Sequence, residues 1–359
     1  MENYPVTQII FFVSSAGLIL SLFVSFLSQR SKQLIGNIVL IGISFVLILQ
    51  WHDTVFASFL EKLHFKKDYV EKGNYKFSTE NRSGIISAHF NKETGCDDIY
   101  GGGVYDSCFN VDPDGPNGIE RVYAIVALHP APKNILVIGL SSGSWVRALT
   151  YSNVFEKIDV VEINHGYLDL IKHYPEHSKI FRDSRVKIHI DDGRRWLYRS
   201  NEKYDFILMN TTFHWRSYVS NLVSSDFLKI VKNHLNPGGV VYYNTTGSKD
   251  IIFTAATIFK HVVRYASFVA ASDSPFSADP AISRLFASTF LNGDEPVLNG
   301  TKAIKNILNN PLPDISEQIL LRNDLFEITD DNMAVEYRHK LRHFFNPEMS
   351  WEKMFKRLF

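Results

Sequence analysis

Between residues 135 and 246, five short apolar runs alternate with four stretches of helical spacing. ILVIG leads into SWVRALTY, KIDVVEIN into GYLDLIKHY, RVKIHIDD into GRRWLYRS and YDFILMNTT into SSDFLKIVKNHL, after which NPGG turns into VVYYNTT. This rhythm leaves a chain few options. Strands separated by helices are joined by crossovers, so neighbouring strands run parallel. Runs of Val, Ile and Leu with little polar alternation suit strands covered on both faces. The spacing predicts an α/β fold built on a doubly wound, mainly parallel sheet.

The N-terminus is of another kind. Residues 6–28 and 33–51 carry no charged side chain. Each is long enough to cross the hydrocarbon core, which takes roughly 20 residues. QRSK between them has room for a tight turn, so the pair reads as a two-helix transmembrane hairpin. A cleaved signal peptide is the rival for the first stretch, but only Glu2 precedes it as a charge, where a basic segment is needed. Arg30 and Lys32 lie in the turn, and Lys62, Lys66 and Lys67 follow the second stretch, so positive charge does not orient the hairpin. Two spans place the N-terminus and the main domain on one side of the bilayer.

Acidic and basic residues balance at 38 each, which argues against a nucleic-acid partner. Cys96 and Cys108 lack zinc-site spacing, so no metal site is read and two free thiols are expected; a disulfide would require an oxidising compartment. Residues 52–68 read as a juxtamembrane helix. Short alternating runs broken by Gly and Asp between 70 and 134 read as a small hairpin-rich subdomain, followed by helical spacing in GIERVYAIVALH. After residue 250, IFTAATIFKHVVRYASFVAA reads as a helix leading into a strand, and AISRLFAST as either. The tail EMSWEKMFKRLF is basic and amphipathic, a solvated helix packed by its aromatic face or a helix lying on anionic lipid.

The connection after the first strand of the parallel sheet, GLSSGS, gives up side chains. In doubly wound sheets ligands bind at the carboxyl ends of the strands, beside the point where the strand order reverses. Gly139 and Gly143 are spaced like the outer glycines of a nucleotide loop, with Ser141, Ser142 and Ser144 keeping the rest small. Glu162 ends the second strand 23 residues after Gly139, where a carboxylate can accept from two ribose hydroxyls. Asp192, followed by Gly193, ends the third, where a carboxylate can accept from an adenine amino group. The three features in order predict an adenosine-type ligand, either a dinucleotide or S-adenosylmethionine.

The stretches ILVIGLSSG, VVEIN, RVKIHIDDGRRWL, KYDFILMN and LNPGGVVYYN resemble the spermidine synthases, the polyamine aminopropyltransferases. HWRSYVSNLVSSDFL and ITDDNMAVEY resemble the membrane-fused, spermidine synthase-like branch. The resemblance implies a class I S-adenosylmethionine-binding, Rossmann-like domain over 121–335, preceded by a juxtamembrane segment and small β-subdomain over 53–120. Two transmembrane helices occupy 1–52 and an amphipathic tail 336–359. It implies S-adenosylmethionine or its decarboxylated form as cofactor, a small amine as acceptor, a homodimer, and cofactor contacts from Gly139, Ser141, Ser142, Gly143, Glu162, Asp192 and Gly193. The anchor would hold the domain at the cytoplasmic face of the inner membrane, where such a cofactor is made.

The chain departs from that family on the acceptor side. Ser142 stands where the family carries an aspartate that holds the aminopropyl amine. Asn210 stands where it carries the aspartate base, and an amide cannot act as a general base. The segment that usually reads YHE is here YAI, beginning at Tyr123. His214 is the remaining candidate base, or a residue that shapes its loop. Trp215 stacks on a substrate or caps the core, and Arg216 binds an acidic substrate or is simply solvated. Asp330 and Asp331 either hold a cationic acceptor or cap a helix beginning near Asn332. Asn210 and His214 are thus the candidate catalytic positions. Aminopropyl transfer, methyl transfer and non-catalytic nucleoside binding remain as readings.

Overall fold

The computed structural model describes residues 6–27, 35–46, 58–70, 75–210, 219–245, 247–276 and 279–332. The chain divides into two compact units, residues 1–105 and 106–359.

In the first unit Val6–Leu27 is an uncharged helix of 22 residues, long and apolar enough to cross a membrane. Ile35–Val46 is a shorter apolar helix. Among the described residues only the first has spanning length, and the flanks of the second expected span lie outside them. A helix at Phe59–Phe65 follows. β1 (Phe77–Asn81), β2 (Gly84–Asn91), β3 (Cys96–Gly101) and β4 (Val104–Cys108) then form a four-stranded sheet in chain order. The Phe59–Phe65 helix is fastened to this sheet by aromatic edges: the His64 ring lies 4.4 Å from Tyr100 and 5.8 Å from Tyr75. Cys96 and Cys108 are both disulfide-bonded, which corrects the expectation of free thiols.

The second unit carries β5 (Asn134–Ile138), β6 (Lys157–Glu162), β7 (Val186–Ile190), β8 (Tyr204–Met209), β9 (Leu235–Asn244), β10 (His261–Tyr265) and β11 (Phe268–Ser272). They form one sheet in the order β10-β11-β9-β8-β5-β6-β7. β5 to β9 run parallel, and the β10–β11 hairpin is antiparallel and joins at β9. The chain builds outward from β5 to β7, then returns to place β8 on the other side of β5. The reversal falls between β5 and its two parallel neighbours, the place where such sheets open a crevice. Crossover helices occupy Ser144–Thr150, Gly166–Ile171, Gly193–Arg199 and Ser225–Asn233. AISRLFAST resolves as a helix, Pro280–Ala287, whose entry is capped by Asp279. The amphipathic tail lies outside the described residues.

Period-two alternation sorts the strand residues onto two cores. Ile135, Val137, Ile158, Val160, Phe206 and Leu208 face one layer. Leu136, Ile138, Val161, Ile207 and Met209 face the other. Both faces are apolar, which is why the strands read as nearly continuous hydrophobic runs. A buried charge within β6 interrupts them. Asp159 on β6 accepts from the Tyr204 hydroxyl at 3.0 Å, meets His189 at 3.2 Å, and pairs with Lys157 at 3.0 Å. A buried carboxylate is tolerated when it is paired and hydrogen-bonded in this way.

Leu208 sits at the centre of the sheet and is 1% exposed. Leu208→Ala is expected to lower unfolding free energy by about 3 kcal/mol, read as a reduced urea midpoint at unchanged slope. A loss under about 1 kcal/mol would show that this layer is not close-packed.

Candidate functional site

The loop after β5 passes through Gly139 at φ 91° and Gly143 at φ 71°, both in the left-handed region. A Cβ at Gly139 would lie 2.9 Å from the backbone oxygen of Asn210 at the tip of β8, so a side chain there would force the strand ends apart. Ser141 also takes a positive φ, 50°, a costly setting for a residue with a Cβ. Its hydroxyl is enclosed and meets no hydrogen-bond partner. An unmade bond of this kind costs about 1–3 kcal/mol. A strained residue holding an unpartnered hydroxyl in a side-chain-poor loop is what a bound polar ligand would complete.

Glu162 closes β6 and is 4% exposed. The Leu140 N–H donates to one of its oxygens at 2.7 Å and the Asn164 N–H to the other at 2.8 Å. These bonds, joined by one from the Ile163 N–H, tie the carboxylate to the loop. Burial pushes its carboxyl from the ordinary 4.5 up to about 7; the N–H bonds from Leu140, Asn164 and Ile163 oppose the shift and the Asp106 charge adds to it. Asp106 itself accepts from the Tyr167 hydroxyl. Two ligand hydroxyls donating to Glu162 would favour its charged form.

Asp192 follows β7 as expected, but one of its oxygens is committed. It caps the Gly193–Arg199 helix, accepting from the Arg195 N–H at 2.8 Å. That leaves the second oxygen for the expected adenine contact. Gly193 lets that helix seat on β5, since a Cβ there would come 2.5 Å from the Ile138 side chain.

Asn210 ends β8 with its N–H on the Ile138 carbonyl at 2.9 Å, which places it beside Gly139. His214, Trp215 and Arg216 lie outside the described residues. Asp330 does not stand free for a cationic acceptor. It pairs with Arg194 and accepts from the Ser224 hydroxyl at 2.7 Å, which corrects that expectation. Any helix beginning beyond Asn332 is outside the described residues.

The structure brings Gly139, Ser141, Ser142, Gly143, Glu162 and Asn210 together at the tips of β5, β6 and β8. It adds a polar chain that sequence reasoning did not find. Ser142 donates to Ser144 at 2.7 Å, and Ser144 meets the ring of His177 at 3.0 Å. Nothing in a sequence marks a pair separated by 33 residues. Burial pulls the His177 imidazole down to about 4, with Glu176 opposing and Arg147 assisting.

Residues 123–278 match the family model described as the spermine/spermidine synthase domain. A polyamine aminopropyltransferase 2 of Hyperthermus butylicus is 31% identical over 180 residues, 45% of this chain and 58% of that protein. A polyamine aminopropyltransferase of Buchnera aphidicola is 35% identical over 117 residues, 32% of this chain and 41% of that protein. The chain thus spans about half the length of these relatives. A spermidine synthase solved with the transition-state analogue AdoDATO superposes with a TM-score of 0.53 at 19% identity, covering 66% of this chain and 88% of that one. The spermidine synthase of Thermotoga maritima gives 0.53 at 18%, covering 69% and 87%. At these identities the structures establish the fold: a Rossmann-like domain with a mainly parallel sheet.

A carboxyl raised in the folded state keeps its proton there while the unfolded chain has lost it. Its contribution is full below pH 4.5 and is lost as pH rises to about 7. Replacing it removes that loss. Glu162→Gln should gain on the parent, by up to roughly 1.4 kcal/mol per pH unit, across this window. Parallel stability curves for the two proteins in urea would contradict the assignment.

Proposed function

We propose that the chain is a membrane-anchored aminopropyltransferase that takes decarboxylated S-adenosylmethionine as donor and a small amine as acceptor. The observation that carries this is Glu162: a buried carboxylate pinned by backbone N–H groups to the glycine loop at the tip of β6, where a ribose would lie. The family match over residues 123–278 and the names of the relatives support the same reaction class. The Ser141 hydroxyl and the left-handed glycines fit a ligand drawn against the backbone. Ser142 would lie along the donor's tail, and Asp192 would reach the adenine with its second oxygen.

A sulfonium donor supplies an alkyl group that is already activated. The work left to the chain is to hold donor and acceptor in line and to keep water out. A proton must still leave the attacking amine. Asn210 cannot take it, so His214 is the candidate base, an imidazole being the side chain whose ordinary range suits proton transfer near neutrality. The substitutions at Ser142 and Asn210 favour a second reading, a module that binds the nucleoside without turnover.

Val6–Leu27 provides the anchor, and Ile35–Val46 a second pass if its flanks extend it. We place the domain on the cytoplasmic side of the inner membrane, where the donor is made. The disulfide-bonded state of Cys96 and Cys108 pulls toward an oxidising compartment instead. Thiol labelling of protein extracted under acid quench separates the two faces: both cysteines protected, as the bond in the structure predicts, would move the domain to the oxidising face, and both labelled would contradict the bond and keep the domain cytoplasmic.

Titration calorimetry with decarboxylated S-adenosylmethionine, S-adenosylmethionine and methylthioadenosine tests the main reading. The decarboxylated donor is expected to bind more tightly than its parent, and a diamine panel to yield aminopropylated product. Glu162→Ala should weaken all three nucleosides about 100-fold, the loss of two hydrogen bonds to a charged group. Binding without product on any amine would support the non-catalytic module. No binding of any nucleoside would end both readings.

A further inference from the structure

The Ser142–Ser144–His177 chain has a direction. The Ser144 oxygen accepts from the Ser142 hydroxyl at 2.7 Å and from the Asn110 N–H at 3.4 Å. A hydroxyl oxygen has two lone pairs, so both are taken. Its own proton must go outward. The Cys108 carbonyl stands at 3.4 Å and the His177 Nε2 at 3.0 Å, so the imidazole is the better acceptor. It can accept only if it is neutral with its proton on Nδ1. Burial at 5% exposure, with Arg147 assisting, keeps it neutral against the opposing Glu176 charge.

The consequence falls on Ser142. Its proton is committed to Ser144, and one lone pair takes the Ser144 N–H at 3.2 Å. What remains is a single lone pair. Ser142 is therefore an acceptor and not a donor toward anything bound along the loop. With His177 absent, the Ser144 proton is left with the Cys108 carbonyl at 3.4 Å and the Ser142 oxygen at 2.7 Å; when it turns to the nearer, the Ser142 proton points at the ligand.

We propose that His177 is a positioning residue which, through Ser144, locks the Ser142 hydroxyl as a hydrogen-bond acceptor for an ammonium group on the tail of the bound nucleoside. This rests on the nucleoside reading above and extends it. The loop recognises the cation through an oriented neutral dipole.

The test compares ligands that differ only in the tail. Full-length protein in detergent is titrated calorimetrically with decarboxylated S-adenosylmethionine, which carries the ammonium, and with methylthioadenosine, which does not. His177→Ala and, separately, Ser144→Gly are expected to weaken the first about 10-fold and the second less than twofold, while His177→Gln, whose amide oxygen reaches the Nε2 position, restores the first. Equal losses for both ligands would mean that His177 merely supports the loop, and would overturn the proposal. So would unchanged affinity in both variants, or failure of His177→Gln to restore binding. If the unsubstituted protein binds neither ligand, the nucleoside reading itself has failed, and that result is distinct from the others.

Discussion

The site depends on one buried carboxylate. Glu162 ends the strand beside β5 and holds the Leu140 N–H at 2.7 Å and the Asn164 N–H at 2.8 Å. With those two bonds it sets the path of the glycine loop and the departure of the chain from β6. Moving such a group out of water is costly, and burial holds its carboxyl far above the usual range. A structure that accommodates this cost for packing alone would do better with an apolar residue. Here the carboxylate stands at the tip of β6 beside the glycine loop, where the proposed nucleoside gives the cost a use.

The other parts of the loop follow the same logic. Gly139 is required because Asn210 crosses so close that no Cβ fits. Ser141 is strained and its hydroxyl unpartnered. Local conflicts of this kind concentrate where a ligand is meant to resolve them. Away from the loop the sheet is conventional. Its two apolar faces are sorted by residue parity, and its one buried aspartate, Asp159, is fully partnered by Tyr204, His189 and Lys157.

Much of this was legible beforehand, for physical reasons. Strand and helix periods differ, so the alternation from ILVIG to VVYYNTT revealed the parallel sheet, and strand ends located Gly139, Glu162 and Asn210. Side-chain pairing across the fold was not legible. Asp330 was free to be read as a ligand for a cation because its partner Arg194 is 136 residues away in sequence. Asp192 concealed its role as a helix cap, although the Arg195 N–H three residues on is the usual partner of such a cap. His177 and Ser144 meet only once the Gly166–Ile171 crossover has folded back. Of the second membrane stretch the described helix is Ile35–Val46, and its flanks lie outside the described residues.

The most direct measurement of the central claim is a crystal structure of the protein soaked with methylthioadenosine. The account predicts density at the tips of β5, β6 and β7, with both ribose hydroxyls within about 3 Å of the Glu162 carboxylate. A nucleoside seated elsewhere, or a Glu162 that contacts only Leu140 and Asn164 in the occupied protein, would contradict it.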